Sequence, residues 1–144
     1  MWNPTISRFL QVWFVFSGNG SQWPKMGATL LEGSPTFRAS VRACAAVVRP
    51  LGIDLEGEFR AEAGWESPLM ASLGLIAVQI GLVDVLREQY GIRPAGMLGH
   101  SAGETSLLAR IAGDKKGGDG HGAGTLCRGS ELGVGRSWGI YGCA

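Results

Sequence analysis

A chain of 144 residues, 45% of them hydrophobic, is long enough to bury one core and too short for more than one domain. Thirteen basic against 12 acidic side chains leave a formal charge of +1 with no long basic run, which argues against nucleic acid as a partner. The cysteines, Cys44, Cys127 and Cys143, are odd in number and lack C-x-x-C spacing, which argues against a disulfide framework or a zinc site and for a reducing, cytoplasmic setting.

In chain order, residues 9–16 imitate a secretory leader behind Arg8, but Gln11 interrupts the run and no small-residue cleavage pattern follows. Residues 11–16 instead predict a strand, apolar on both faces as if covered by helices on each side. The turn Ser17-Gly-Asn-Gly20 ends it. Ser34 before Pro35 predicts a capped helix in which Phe37, Val41, Cys44 and Val48 share one face and Arg38, Arg42 and Arg49 lie in solvent. Residues 50–68 read as turn-rich, broken by Gly52, Gly57 and Gly64, with room for one helical turn within 54–60. Residues 69–90 predict a long helix, closed by Gly91 and Pro94, whose stretch 69–83 is apolar except for Ser72, Gln79 and several small residues. That stretch falls short of the roughly 20 residues a bilayer requires, so a buried core helix is expected and no membrane.

A short strand at 95–98 then turns at Gly99-His-Ser-Ala-Gly103 into a helix at 104–112. Strands alternating with helices imply an α/β fold with a mainly parallel sheet. Eleven of the 24 glycines fall beyond residue 112. The chain therefore divides into an ordered part, 1–112, and a Gly-rich irregular tail, 113–144.

Gly99-x-Ser101-x-Gly103 is a G-x-S-x-G pattern, in which small residues let the chain pass from strand to helix tightly enough to present a serine hydroxyl above the sheet. In a glycine-rich chain the pattern alone is weak: Gly135-Arg-Ser137-Trp-Gly139 repeats it without an apolar strand before it or a helical pattern after it, and Ser137 is read as a coincidence. Ser101 has both flanks, which places the Ala102 N–H at a helix N-terminus, where it can face a developing oxyanion. The Gly18-Asn19-Gly20 loop at the end of a neighbouring strand can supply a second donor. The competing readings are a serine in an ordinary strand-to-helix loop and an ordinary glycine turn.

Taken together, Val15-Phe-Ser-Gly-Asn-Gly-Ser-Gln-Trp23, the following Met26-Gly27, Ala77-Val-Gln79 and Leu98-Gly-His-Ser-Ala-Gly-Glu104 resemble the malonyl/acetyl-transferase domain of animal-type fatty acid synthases, with polyketide synthase acyltransferases as near relatives. The resemblance runs over residues 12–104. It implies a parallel-sheet, α/β-hydrolase-like acyltransferase core, an acyl-serine intermediate on Ser101, and an oxyanion hole from the backbone N–H groups of Asn19 and Ala102. It further implies malonyl-CoA or acetyl-CoA as substrate, no permanently bound cofactor or metal, and the phosphopantetheine arm of acyl carrier protein as acceptor.

Asn19 stands where relatives usually carry glutamine or methionine, which costs little if backbone N–H does the work. Ala102 replaces a common leucine, a change of modest consequence for acyl selectivity. His100 is read as a packing residue beside the nucleophile, Glu104 as a favourable charge in a first helical turn, Gln79 as a hydrogen-bonded structural residue and Trp23 as a core anchor.

The family places its catalytic histidine, its carboxylate-binding arginine and a small ferredoxin-like subdomain after the nucleophile helix. None is legible here, so the expectation is a truncated core with a frameshifted or mis-spliced tail, no preceding ketosynthase, apolar surface left open, and an isolated chain that is inactive. Arg128-Gly129 is out of register, and His121 lies in a glycine-rich stretch unfit to hold a general base. Two alternatives stay open: a small α/β serine hydrolase, with Glu104, Asp114 or Asp119 preceding His121, and a non-catalytic fragment.

Overall fold

The computed structural model describes residues 11–116 and 138–142, with side chains for residues 11–110. Strand β1, Trp13–Phe16, leads through a turn-rich loop into the short helix α1, Ala28–Gly33, and then α2, Pro35–Val48. A 3-10 turn, Arg49–Leu51, and one helical turn, α3, Leu55–Glu58, precede the long helix α4, Pro68–Glu88. Strand β2, Gly96–His100, passes directly into α5, Ala102–Lys116, and β3 spans Trp138–Gly142.

Local chemistry accounts for the helix ends. Ser34, Asp54 and Ser67 each occupy an N-cap and accept from a backbone N–H three residues on, at Phe37, Gly57 and Met70 respectively. Pro35 and Pro68 fill first helical positions, where a missing N–H costs nothing. Helix α4 ends where Gly91 takes φ +65° and donates its N–H to Arg87 O at 3.2 Å. Arg38, expected in solvent, instead caps α1: its guanidinium donates to the last carbonyls of that helix, Leu31 O at 2.8 Å and Glu32 O.

The sheet has the order β1-β2-β3. β1 and β2 are parallel, with Phe14 opposite Met97 and Phe16 opposite Gly99. β3 adds to the other edge of β2 in antiparallel sense, with Gly139 opposite Gly99. The stretch read as irregular thus holds ordered backbone at both ends: α5 runs to Lys116, and Trp138, Ile140 and Tyr141 supply the aromatic and β-branched residues that a strand favours. The intervening glycines hid that strand from a search for alternation. Ser137, His121, Asp119 and Arg128 lie outside the described residues.

Helices α4 and α5 lie on the same face of the sheet, where Phe14, Phe16, Met97, Val83 and Leu107 close one core. A second core lies beyond α4, built on Phe37 and Val41 of α2 with Phe59, Trp65, Leu75 and Val78. Phe59 and Trp65 meet edge to face at 5.0 Å. The expectation of helices on both faces of β1 is corrected here: Phe14 and Phe16 are buried, but Val15 is 61% exposed and Trp13 43%. A parallel crossover must run over one face of the sheet, and among the described residues α4 and α5 both take that face, with α2 stacked beyond α4. Helix α4 is long and apolar enough to cross a membrane by composition, yet it packs against α2, α3 and α5 as a core helix.

Candidate active site

Ser101 sits between the last residue of β2 and the first of α5, with φ +54°. A non-glycine residue in that left-handed region is sterically costly, roughly 1–2 kcal/mol, and persists only where its surroundings impose it. Here the surroundings are tight. A Cβ on Gly103 would enter the carbonyl group of Phe16, and one on Gly99 would come within 2.8 Å of Glu104 Cα, so the helix can begin this close to the strand ends only where both side chains are absent. Glu104 N–H donates to Ser101 O at 3.0 Å and closes the first turn. The Ser101 residue is exposed, while Leu107 beneath it on α5 is fully buried. The strained turn thus lifts the serine to the surface on a helix anchored in the core.

The loop after β1 meets this turn. A Cβ on Gly18 would lie 2.9 Å from both His100 O and Ser101 Cβ, and 3.1 Å from His100 Nδ1, so only a glycine lets the loop pass this close. The parallel pairing of β1 with β2 brings the loop that carries Gly18 and Asn19 to the Ser101 turn, with Gly18 itself packed against Ser101. Ala102 opens α5, where the first four N–H groups of a helix have no partner within it. Glu104 lies in that same first turn.

Polar side chains around the loop bind it to α4. Gln79 Nε2 donates to Ser17 O at 2.8 Å and lies 3.1 Å from Ser17 Oγ. Ser17 Oγ lies 2.9 Å from Ser21 Oγ, which in turn donates to Gly18 O at 2.8 Å. Asn19 Nδ2 lies 2.9 Å from Ser72 Oγ. The hydrogen-bonded structural reading of Gln79 therefore agrees with its contacts. Gln79 Oε1, by contrast, is buried with no hydrogen-bond partner among the described residues. Ser17, Ser21 and Ser72 were not singled out from sequence as site residues. The signal was there for the helix: Ser72 and Gln79 interrupt the apolar run of α4 at a spacing of seven, two turns along one face. Trp23, expected as a core anchor, is 60% exposed. No group of three or more metal-ligating side chains occurs among the described residues.

Residues 13–113 match the acyl transferase domain family. The highly reducing polyketide synthase lcsB of Purpureocillium lilacinum is 41% identical over 107 residues, covering 69% of this chain and 4% of that protein. The structure of a loading acyltransferase from the avermectin modular polyketide synthase superposes with TM-score 0.64 at 40% identity, over 70% of this chain and 33% of that one. The acyltransferase domain of SpnD, solved with 2-(pent-4-yn-1-yl)malonyl, gives TM-score 0.63 at 33% identity, over 71% and 25%. The chain thus spans a small part of these relatives, and the first two are polyketide synthase proteins, not the animal-type fatty acid synthases that the motifs resemble. The α/β core with its parallel strands is the fold of their acyltransferase domains. By the family match over most of its length and by its fold, the chain belongs to the acyl transferase domain family.

Proposed function

We propose that this chain carries the nucleophile and oxyanion hole of a polyketide-synthase-type acyltransferase that moves malonyl-type or acetyl groups from coenzyme A to an acyl carrier protein. One observation supports this above the others: an exposed serine held at φ +54° on a strand-to-helix turn, with a glycine loop packed against its Cβ. Ser101 Oγ attacks the thioester carbonyl carbon as its proton passes to a base, giving a tetrahedral oxyanion that the N–H groups of Asn19 and Ala102 stabilise. Collapse breaks the C–S bond, and coenzyme A leaves as the thiol with a proton returned to sulfur. The phosphopantetheine thiol of the carrier then attacks the acyl-serine ester and regenerates the hydroxyl. A malonyl-type substrate is proposed from the 2-substituted malonyl group held by the SpnD domain. The reading follows the polyketide synthase relatives described above, not the fatty acid synthase type to which the motifs alone point.

The sequence contains two histidines, His100 beside the nucleophile and His121 outside the described residues. We expect the isolated chain to load acyl groups only when a base is supplied. Intact-mass spectrometry after exposure to malonyl-CoA and acetyl-CoA, with and without added imidazole, tests this against Ser101→Ala. The expected result is an acyl adduct that grows with imidazole and is absent from Ser101→Ala. An adduct formed equally well without imidazole would show that the chain holds its own base. A folded chain that takes no acyl group at any imidazole concentration would overturn the assignment of Ser101.

A further inference from the structure

Helix α4 sends its two polar interruptions, Ser72 and Gln79, to the same three residues, Ser17, Gly18 and Asn19, either directly or through Ser21. The donors can be assigned in one consistent direction. Both hydrogens of the Gln79 amide go to Ser17, one to its carbonyl and one to its hydroxyl. Ser17 Oγ, having accepted, donates to Ser21 Oγ, and Ser21 Oγ donates to Gly18 O. At the other end Ser72 Oγ lies 2.9 Å from Asn19 Nδ2 and 3.0 Å from Asn19 Oδ1, and when its one hydrogen goes to Pro68 O at 2.9 Å in its own helix it accepts from Asn19 Nδ2.

The relay ends on the one atom that governs the oxyanion donor. Gly18 C=O and Asn19 N–H belong to a single planar trans peptide unit, in which the N–H points opposite to the carbonyl. Holding Gly18 O therefore aims Asn19 N–H. A glycine before that bond makes the unit easy to flip, because nothing in the Gly18 side chain resists rotation. A flipped unit would present a carbonyl oxygen where an oxyanion must be received.

We propose that Gln79, Ser17 and Ser21 form a hydrogen-bond relay that fixes the Gly18–Asn19 peptide plane, with Ser72 anchoring the Asn19 side chain, so that these residues position the oxyanion donor before substrate arrives. The proposal rests on the roles given above to Ser101 and Asn19. It explains why a core helix retains Gln79 although its Oε1 is buried without a partner among the described residues: the two donors are the part that is used. A donor oriented in advance has no reorganisation cost when charge develops.

The sequence has only two asparagines, Asn3 and Asn19, so 15N-asparagine labelling of the full chain isolates the amide in question with an internal reference. We expect Ser21→Ala and Gln79→Leu to let the Gly18–Asn19 peptide flip, raising the population of a second Asn19 amide resonance about fivefold or more, with Asn3 unchanged, and Ser21→Thr, which keeps the hydroxyl, to restore the wild-type signal. Titration with an alkylboronic acid, which forms a tetrahedral adduct on a serine hydroxyl, should shift the Asn19 amide in the wild type and not in Ser21→Ala. An Asn19 amide spectrum unchanged from wild type in Ser21→Ala and Ser72→Ala would overturn the relay even if Gln79→Leu fails to fold. Absence of any Ser101-dependent boronate adduct in the wild type would overturn the roles of Ser101 and Asn19, while the Asn19 amide spectra would still decide the relay.

Discussion

Ser101 pays for its exposure in backbone strain, and the cost is offset by three glycines that let its neighbours close in. Gly103 is the most demanding of these, because a methyl group there would collide with the backbone of Phe16 and not with a side chain able to swing aside. Gly103→Ala should therefore destabilise the chain by about 1–3 kcal/mol. Gly33→Ala, whose Cβ would meet nothing within 4 Å, should be neutral or slightly stabilising. Denaturant midpoints of the two variants decide the matter: equal midpoints would mean that the strand-to-helix turn can widen freely. At this scale the sequence was informative about residue type and mute about direction. The G-x-S-x-G spacing singled out the Ser101 turn and the Gly18–Gly20 loop as candidates, since both depend on which positions lack a side chain, while the choice of Asn19 within that loop came from the family resemblance. The relay through Ser17 and Ser21 was not legible, because which hydroxyl meets which carbonyl depends on the folded path of the loop.

Elements were legible where their ends carry chemistry. Ser34 with Pro35 announced α2, and Gly91 marked the end of α4, because caps and stops act within one turn of chain. Helix α1 was missed, since its N-cap is Gly27 with no side-chain hydrogen bond and part of its C-terminal capping comes from Arg38 on the next helix. The joint between α4 and α5 was equally hidden. Asp84 Oδ1 meets Arg110 Nη1 at 2.8 Å, with both side chains less than one-fifth exposed, and Ser40 of α2 donates to Asp84 Oδ2 at 2.6 Å. Cys44, nearby on α2, has its thiol pKa raised from the ordinary cysteine value by burial and, secondarily, by the Asp84 charge. Asp84→Ala removes the carboxylate opposite a largely buried guanidinium and should cost about 3 kcal/mol. Thermal unfolding at neutral pH tests this, and a loss no larger than that of a surface ion pair, under about 1 kcal/mol, would show that the pair is solvated in practice.

At the scale of the whole molecule, the described residues place α4 and α5 on one face of the sheet and leave Trp13 and Val15 open on the other. Contiguous apolar surface of this kind promotes association. Sedimentation velocity should show concentration-dependent self-association of the wild type, weakened about tenfold by Val15→Lys, which removes roughly the burial energy of one aliphatic side chain. Matching sedimentation of both proteins at all concentrations would mean that this face is inert. The sequence by itself determined the elements with local signals, the parallel α/β order, and the identities of Ser101, Asn19 and Ala102 as candidates, because caps, hydrophobic period and glycine spacing are properties of adjacent residues. Only the tertiary structure decided that Gly18 packs against Ser101, that Gln79 reaches the glycine loop, that Arg38 caps a helix and that β1 is covered on one face. The meeting of the glycine loop with the serine turn, the reach of Gln79 and the one-sided cover of β1 depend on the register of β1 against β2 and on the packing of α4 across them, long-range choices that no short window of sequence contains, while the Arg38 cap depends on the angle at which α2 folds back on α1.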